Sequence, residues 1–348
     1  MSDVAFGIFD HLERRADSLG ELYEGRMRLL KMADEAGFYG YHLAEHHATP
    51  LGMAPSPSVF LSAAIQHTKR IRLGPLVYLL PLYHPLRLIS EICMLDHMSN
   101  GRLEIGVGRG VSPFEQAYFE VPFLHSRAMF EEALEMVTAG LHQERLTYEG
   151  KYYQCADVPM ELRPKQTPNP PFWYGVINAN GLRFAAERGM HMASGGPNSG
   201  IKDLTAQYQE MWSQNRDNPL NLNPQIERPK MGAFRHVLVA DTDQEAEAIA
   251  TPAYKDYYAN IEKLWLDFGV AHTLFTPDLQ VARSLDVALV GSPSRVQDEI
   301  ARFFETSGCN YILVSFAWGS LTQAQSERSM ELFASQVMPQ FGSASASA

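Results

Sequence analysis

The sequence predicts an α/β fold, a (β/α)8 TIM barrel with insertions, and three observations lead to this prediction. Short apolar segments of strand length alternate with longer amphipathic segments along most of the 348 residues. The apolar segments are nearly continuous, as is typical of parallel strands buried on both faces. Eight strand–helix units can be counted, the number that closes a barrel. A doubly wound open sheet has the same alternation and remains an alternative.

Each element has local signals at its ends. Ser56-Pro57 opens one helix, and Asn100-Gly101 closes the next. The predicted strands are residues 4–9, 38–44, 71–80, 102–108, 171–176, 190–194, 230–240 and 310–317. The predicted helices are residues 21–36, 56–67, 84–99, 126–141, 181–188, 201–215, 241–261, 292–308 and 322–337.

Three segments interrupt the alternation and are predicted to be insertions, at about residues 110–125, 142–170 and 259–290. Residues 142–170 look like a hairpin followed by a proline-rich loop. The stretch after Gly110 is expected to be non-helical, and 259–290 to be irregular. Residues 1–341 are predicted to form one barrel domain, with 342–348 as a disordered tail.

Composition excludes several functional classes. The formal net charge of −11 disfavours nucleic-acid binding, which needs clustered Lys and Arg. No apolar run reaches the roughly 18 residues of a membrane span, and the N-terminus does not resemble a signal peptide. Cys93, Cys155 and Cys309 lie far apart, without a CxxC pair. These features predict a soluble cytoplasmic protein with neither disulfides nor a thiolate zinc site.

The stretch GYHLAEHHATPLG, residues 40–52, places adjacent histidines at the end of the second predicted strand. In a barrel this end belongs to the functional rim. His46 is therefore a candidate for proton transfer, with Glu45 helping to set its charge. Two packed, hydrogen-bonded histidines are the alternative. A metal site is not expected, because His42 and His46 would lie about 13 Å apart on a strand and neighbouring strand residues point to opposite faces.

Three further stretches carry candidate residues at strand ends. His84, in LPLYHP, is either a helix cap or a catalytic group. In EIGVGRG, residues 104–110, the glycines would let a planar or phosphorylated ligand approach the backbone, and Arg109 could grip a phosphate. In VINANG, residues 176–181, Asn178 opens a helix whose N–H groups could hold a phosphate. A solvated arginine and an ordinary Asn cap are the respective alternatives.

Together these pieces resemble the bacterial luciferase-like flavin-dependent monooxygenase family. The similar run is AEHHATPLG followed by RIRLGPLVYLLPLYHPLRLISEICMLDHMSNGRLEIGVGRG, and FAAERG is a shorter match further on. The most specific piece is LDHMSNGRLEIGVGRG. The resemblance covers most of the chain and weakens through residues 190–230 and 255–290. The family fold is an α/β barrel with insertions, in agreement with the count of units.

The resemblance assigns roles to individual residues. His46 matches the family histidine implicated in flavin–peroxide chemistry, and His84 is taken as a second catalytic residue. Leu76 and Val77 match a non-proline cis peptide under the flavin ring. The remaining cofactor-binding matches are Gly108, where the luciferase subunit has a cysteine, the phosphate-gripping Arg109, and Asn178, Ala179 and Gly181, with Asn178 in place of a common serine.

The resemblance implies that reduced FMN and O₂ form a C4a-peroxyflavin that oxygenates a small, apolar organic substrate in a dry pocket. Because no dinucleotide-binding fingerprint is present, reduced flavin is expected from a separate flavin reductase. A homodimer is expected from the family. Three alternatives remain: an F420-dependent oxidoreductase, a non-catalytic flavin-binding protein and a zinc hydrolase. Aromatic residues of the insertions form either an apolar pocket or lid, or a core covered by a long loop: Tyr148, Tyr152, Tyr153, Trp173, Trp265 and Phe268.

Overall fold

The computed structural model describes residues 4–270 and 276–342, and a parallel sheet curled into a barrel lies at its centre. In chain order, strands β1 to β12 are Ala5–Asp10, Gly40–Leu43, Arg72–Pro75, Tyr78–Leu79, Ile105–Gly108, Arg145–Glu149, Gln154–Pro159, Phe172–Gly175, His191–Ser194, Met231–Val239, Ala288–Gly291 and Tyr311–Ser315. Helices α1 to α11 are Leu19–Ala36, Pro57–His67, Pro85–Met98, Pro113–Tyr118, Ser126–His142, Ala179–Glu187, Asn198–Gln214, Asp243–Asp267, Leu279–Ser284, Pro293–Ser307 and Gln323–Leu332. A π-helical turn, Phe333–Val337, and a 3₁₀ turn, Met338–Phe341, follow α11.

The order of the hydrogen-bonded strands is β3-β2-β1-β12-β10-β9-β8-β5-β4, and every pair along it is parallel. β3 and β4 are two halves of the third predicted strand, separated by the cis peptide Leu76–Val77. One half pairs with β2 and the other with β5, and a bridge between Leu73 and Leu103 completes the ring. The predicted TIM barrel is therefore confirmed. β11 adds a further parallel strand beside the end of β10.

The helix ends follow from local sequence. Ser18 and Glu21 form a capping box at the start of α1, and Gly37 ends that helix in the left-handed conformation with φ of 85°. Proline occupies the first position of α2, α3, α4 and α10, where its missing N–H costs no helical hydrogen bond. Thr242 caps α8, since its side chain accepts a hydrogen bond from Glu245 N.

The insertions differ in how well they were predicted. Residues 142–170 contain the predicted hairpin, formed by antiparallel β6 and β7. The expectation of a non-helical stretch after Gly110 is wrong, because α4 forms behind the cap of Ser112. The irregular segment 259–290 is also wrong in part: α8 continues to Asp267, and α9 and β11 lie in its second half. Of the predicted tail 342–348, all but Gly342 lies outside the described residues.

A polar cluster fills the barrel at the amino ends of its strands. Glu104, immediately before β5, accepts hydrogen bonds of 2.6 Å from each of Tyr39 Oη, Arg72 Nε and Trp173 Nε1. Burial alone would raise the pKa of Glu104, but the charge of Arg72, with His191 and His42 nearby, lowers it to about 2. A buried carboxylate held this way ties four parts of the chain together at the end of the barrel opposite the candidate site.

The backbones of the third and fourth barrel strands pack very closely. A Cβ on Gly74 would overlap the carbonyl oxygen of Glu104, and one on Gly106 would overlap that of Pro75. A Cβ on Gly108 would lie 2.5 Å from Val77 Cγ2. Glycine is required at Gly74 and Gly106 because the backbone of the neighbouring strand leaves no room for a side chain, whereas the contact at Gly108 is with the Val77 side chain alone. We call Gly74, Gly106 and Gly108 the glycine seam.

Candidate active site

The candidate site lies where the carboxyl ends of the barrel strands meet. Because the strands are parallel, the residues that follow β1, β2, β4, β5 and β8 share one rim. His11 follows β1, the pair His46 and His47 follows β2, Arg109 follows β5, and Asn178 follows β8. The rim predicted from the strand ends is therefore present, although it contains residues that the sequence did not reveal.

His46 is paired with a glutamate from a different part of the chain. Its Nδ1 lies 3.1 Å from Oε1 of Glu115, a residue of α4. The same oxygen accepts a 2.8 Å hydrogen bond from the backbone N–H of His47. The Glu115 side chain is 3% exposed, and that of His46 is 25% exposed. The imidazole is thus anchored on one edge and reaches the mouth of the barrel with the other.

His47 is held separately, and this corrects the role predicted for Glu45. Glu45 Oε1 lies 2.8 Å from His47 Nε2, and Glu45 Oε2 accepts a hydrogen bond from Leu79 N. The other face of His47 contacts Phe119 edge-on, with ring centroids 4.6 Å apart. Glu45 therefore orients His47, whereas His46 takes its carboxylate partner from α4. The two histidines bind different groups, as strand alternation predicts for neighbouring residues.

The two glutamates experience opposite pKa shifts. Burial raises the pKa of Glu45, although hydrogen bonds from His47 and Leu79 N partly offset it. Burial also acts on Glu115, but its hydrogen bond with His46, the imidazole charge and the His47 N–H together lower its pKa. Glu115 is accordingly an ionised carboxylate at neutral pH, and it can only accept hydrogen bonds.

Sequence reasoning missed two titratable residues at this rim, the half-buried His11 and the buried Glu13. The ring of His11 lies 5.7 Å from that of His46, and burial, followed by the charges of His46 and His236, lowers its pKa well below the usual value. Glu13 accepts a 2.6 Å hydrogen bond from Gly319 N, and burial raises its pKa to about 7. Their position directly after β1, at the functional rim, is the signal that could have identified them.

His84 lies apart from this polar group. It is the exposed residue before α3, and its side chain does not cap that helix. Its ring stands edge-on to Tyr153 of the hairpin insertion, at 6.2 Å. The structure therefore places His84 against the insertion 142–170, whereas His46 is held by α4.

Leu76 and Val77 line the barrel beneath the mouth. The peptide between them is cis, as the family resemblance implied. Leu76 is 7% exposed and packs with Trp173 and Tyr311 inside the barrel. Val77 is half-buried, with its side chain over Gly108. These residues form an apolar floor on which a planar ring could lie.

Among the residues that the structure describes, Arg109 has no acidic partner. Its guanidinium lies over the ring of Phe123, 4.9 Å from the centroid, and the described part of the chain places no carboxylate within salt-bridge distance of it. Its carbonyl oxygen accepts a hydrogen bond from Gln116 Nε2, which fixes the backbone. A positioned but unpaired arginine is well suited to bind an anionic group.

The start of α6 lies beside Arg109. β5 and β8 are neighbouring strands with Val107 opposite Tyr174, so the residues that follow them are adjacent at the rim. Asn178 is exposed and caps α6, accepting a 2.9 Å hydrogen bond from Gly181 N. The N–H groups of Ala179 and Asn180 have no intrahelical acceptor in this first turn. The predicted phosphate-binding set is thus brought to one edge.

Aromatic residues from two insertions meet above the mouth. Phe114 of α4 stacks on Phe268, which follows α8, with ring centroids 4.1 Å apart and an interplanar angle of 8°. Trp265 stands edge-on to Phe114 at 5.3 Å, and Tyr118 lies 6.2 Å from Phe268. The predicted lid residues Trp265 and Phe268 do come together, whereas Trp173 is a fully buried barrel residue.

Glu115 is the most informative residue that the sequence did not single out. The signal for its helix was present, since Ser112-Pro113 repeats the Ser-Pro start of α2. Its contact with His46 spans 69 residues of chain and could not be seen in the local pattern. Within residues 4–270 and 276–342, no group of three His, Cys, Asp or Glu side chains is arranged to hold a metal ion.

Comparison with known proteins agrees with this architecture. A model of the family described as luciferase-like monooxygenase matches residues 4–310. The chain belongs to the luciferase-like monooxygenase family. This membership confirms the resemblance predicted from the sequence and identifies the chain as a flavin-dependent monooxygenase at the level of its family. No helix in the described part of the chain is long and apolar enough to cross a membrane.

Individual relatives of this luciferase-like protein match over nearly their full length. It is 35% identical over 346 residues to the uncharacterized protein y4wF of Sinorhizobium fredii, covering 98% of each chain. It is 27% identical to the oxygenase component of flavin-dependent trigonelline monooxygenase from Acinetobacter baylyi, covering 97% and 96% of the two chains. The crystal structure of monooxygenase RslO1 from Streptomyces bottropensis superposes with a TM-score of 0.86 at 27% identity, covering 97% and 100%.

Proposed function

We propose that this protein is an FMN-dependent monooxygenase that uses reduced flavin and O₂ to oxygenate a small, apolar organic substrate. In the overall reaction one oxygen atom enters the substrate and the other leaves as water, while reduced FMN becomes FMN. The observation that carries the proposal is the unpaired Arg109 beside the start of α6, at the same rim as His46. Family membership supports the use of flavin.

The residues present suit an FMN molecule. Arg109 would bind the phosphate with two charge-assisted hydrogen bonds, and the N–H groups of Ala179 and Asn180 would add donors aided by the helix dipole. Asn178 retains its side-chain amide as a further donor, because only its oxygen is used by the cap. Leu76 and Val77 would support the ring, which Gly108 leaves room to approach. The bound flavin supplies the electrons that activate dioxygen.

The chain itself would contribute proton transfer and the exclusion of water. His46 would hold or deliver a proton through Nε2, the ring nitrogen for which the described residues provide no hydrogen-bond partner. The aromatic contacts between Phe114 and Phe268 would keep solvent from the mouth, and excluding water strengthens electrostatic interactions within the site. His84, placed against the hairpin, is proposed only as a secondary participant.

The partners of the reaction are also part of the proposal. The chain carries no dinucleotide-binding fingerprint, so a separate flavin reductase would supply reduced FMN. A relative is named as the oxygenase component of its enzyme, which supports a two-component system. We propose a cytoplasmic homodimer on the basis of the family resemblance, and sedimentation of the purified chain would test the dimer.

The experiment compares His46→Ala with Arg109→Ala. Each variant is titrated with FMN and with riboflavin, and each is then loaded with reduced FMN and mixed with isotopically labelled dioxygen and a panel of small apolar compounds. We expect Arg109→Ala to weaken FMN binding by roughly 10- to 100-fold and to leave riboflavin binding unchanged, since riboflavin has no phosphate. His46→Ala should bind FMN normally and lose labelled product by roughly 100-fold or more.

Three outcomes would overturn this assignment in whole or in part. Equal loss of FMN binding and of oxygenation in His46→Ala would remove the proton-transfer role. Absence of labelled product in the wild-type protein, together with turnover of reduced F420, would replace FMN by that cofactor. A protein that binds FMN but reacts with neither oxygen nor substrate would be a flavin-binding protein without catalysis.

A further inference from the structure

Glu115 occupies a position that the proposed proton transfer does not by itself explain. It is the third residue of α4, where Ser112 Oγ accepts a 3.2 Å hydrogen bond from its N–H and so fixes the start of the helix. The residue is 2% exposed, although α4 lies in an insertion at the rim. A carboxylate is buried at a cost unless hydrogen bonds satisfy it. The groups that satisfy Glu115 therefore indicate its role.

Glu115 has two hydrogen-bond partners, and the position of the proton is known in advance for only one of them. The backbone N–H of His47 can only donate, and its 2.8 Å bond fixes Oε1 in place. That oxygen lies 3.1 Å from His46 Nδ1. Since an ionised carboxylate accepts and cannot donate, the contact is a hydrogen bond only if His46 Nδ1 carries the proton. A neutral imidazole then has its lone pair on Nε2.

We propose that Glu115 is the positioning residue of this site. It would fix His46 in the Nδ1–H tautomer and orient Nε2 towards the barrel mouth, as the atom that exchanges protons during oxygenation. This inference rests on the proposed function for its chemical consequence, whereas the tautomer stands on the contacts of α4 alone. Carboxylates that hold a histidine in this way set both its tautomer and the orientation of its ring.

The surroundings of His46 leave this task to Glu115. Within residues 4–270 and 276–342, the titratable groups in contact with the imidazole are Glu115 from α4 and His11 from the end of β1. His11 contributes a ring contact and no hydrogen bond to His46. Gly52 packs against the backbone of His46, where an added Cβ would lie 2.9 Å from both His46 Cβ and the His46 carbonyl oxygen. The backbone of His46 is thus confined by packing, and its ring is oriented by Glu115.

Glu45 provides a matched control. It is also a buried glutamate bonded to a histidine, at 2.8 Å, and it also accepts a backbone N–H, that of Leu79. Its partner, however, is Nε2 of His47, whose ring packs against Phe119. Substitution of Glu45 should therefore disturb His47 and leave the tautomer of His46 unchanged.

The test combines nitrogen NMR of the histidine rings with single-turnover kinetics on the full chain. The variants are Glu115→Gln, Glu115→Ala and Glu45→Gln, each checked for folding by circular dichroism. We expect His46 to be the Nδ1–H tautomer in the wild-type protein, and to become a tautomer mixture in Glu115→Ala. In Glu115→Gln the amide oxygen can still accept both N–H groups, so the tautomer should persist without the charge.

The kinetic arm loads each protein with reduced FMN, mixes it with oxygenated buffer and follows hydrogen peroxide release against pH. Because Glu115→Gln removes the carboxylate charge beside the imidazole and keeps the hydrogen-bond acceptor, the pH dependence of this rate should differ from that of the wild-type protein. With a substrate from the labelled-oxygen panel, product formation in Glu115→Ala should fall by roughly 10- to 100-fold. Glu45→Gln should change both the pH dependence of peroxide release and the formation of product less than the Glu115 variants do.

The outcomes separate this inference from the proposed function. An Nε2–H tautomer of His46 in the wild-type protein would overturn the inference whatever the enzyme catalyses. The same holds if Glu115→Ala loses the tautomer yet keeps its pH profile and product yield. If the wild-type protein shows the predicted tautomer but does no oxygen chemistry, the proposed function fails while the positioning by Glu115 is retained. If Glu115→Ala folds poorly, the wild-type tautomer, which is measured without cofactor, and the pH profile of Glu115→Gln decide.

Discussion

The buried carboxylate of Glu104 offers a quantitative test of how the barrel is held together. We predict that Glu104→Gln destabilises the protein at neutral pH and flattens the acid limb of its stability. Three hydrogen bonds of 2.6 Å and the charge of Arg72 stabilise the ionised form of Glu104. A neutral amide would keep part of the hydrogen bonding and lose the charge interaction.

The magnitude follows from the pKa of Glu104, which falls from 4.5 to about 2. At about 1.4 kcal/mol for each pKa unit, this shift corresponds to about 3 kcal/mol of stability. Because the folded-state pKa is below the unfolded value, the contribution is fully present above about pH 5 and declines as the pH falls towards 2. About 2 kcal/mol should be lost between about pH 5 and pH 3.

The assay is urea unfolding of the wild-type protein and Glu104→Gln at several pH values, with the exposed Glu24→Gln as control. His42 and His191 have pKa values lowered by burial to about 4 and about 3, and they destabilise both proteins in acid. The informative quantity is therefore the difference between the two proteins. It should be about 3 kcal/mol at neutral pH and should shrink in acid. A constant difference, or none, would refute the argument.

Two further predictions concern the glycine seam and the start of α6. Gly74→Ala should destabilise the protein by about 2 kcal/mol or more, because its Cβ would meet the Glu104 carbonyl. Gly20→Ala has open space around it and should not destabilise the protein. Thermal melts of both variants measure this difference, and equal melting temperatures would contradict the prediction. Asn178→Ala should lose about 1 kcal/mol of capping energy and also bind FMN more weakly, whereas Asn178→Ser should keep the cap. Equal FMN binding by the alanine and serine variants would argue against a phosphate at α6.

The sequence predicted the barrel well because the signals for its strands and helices are local and recur along the chain. Each strand is short and apolar, and the stop signals at Gly37 and Asn100-Gly101 lie next to the residues they terminate. The irregular segment at 259–290 was mispredicted for the opposite reason. Past the predicted end of α8, Leu264 is buried, and Ile261 packs against the cluster that contains Tyr257, so tertiary contacts continue the helix beyond the point where its local pattern ends.

In the candidate site, too, the residues with local sequence signals could be predicted and their distant partners could not. His46 and Arg109 could be found because they follow strands whose ends are recognisable. The identity of their partners could not, since Glu115 comes from a distant insertion and Phe123 from the loop beyond it. Nothing in the dipeptide Leu76-Val77 signals a cis bond, and that feature came only from the family resemblance.

The glycine seam also bears on how such an enzyme could acquire a new substrate. A side chain at Gly74 or Gly106 would meet the backbone of a neighbouring strand, so these two positions are closed to variation by steric constraint. At the rim, by contrast, Leu124 is 92% exposed and Ile177 is 73% exposed. Selection from a library of variants would therefore recover substitutions at the mouth of the barrel, while the glycines between the strands beneath it would stay unchanged.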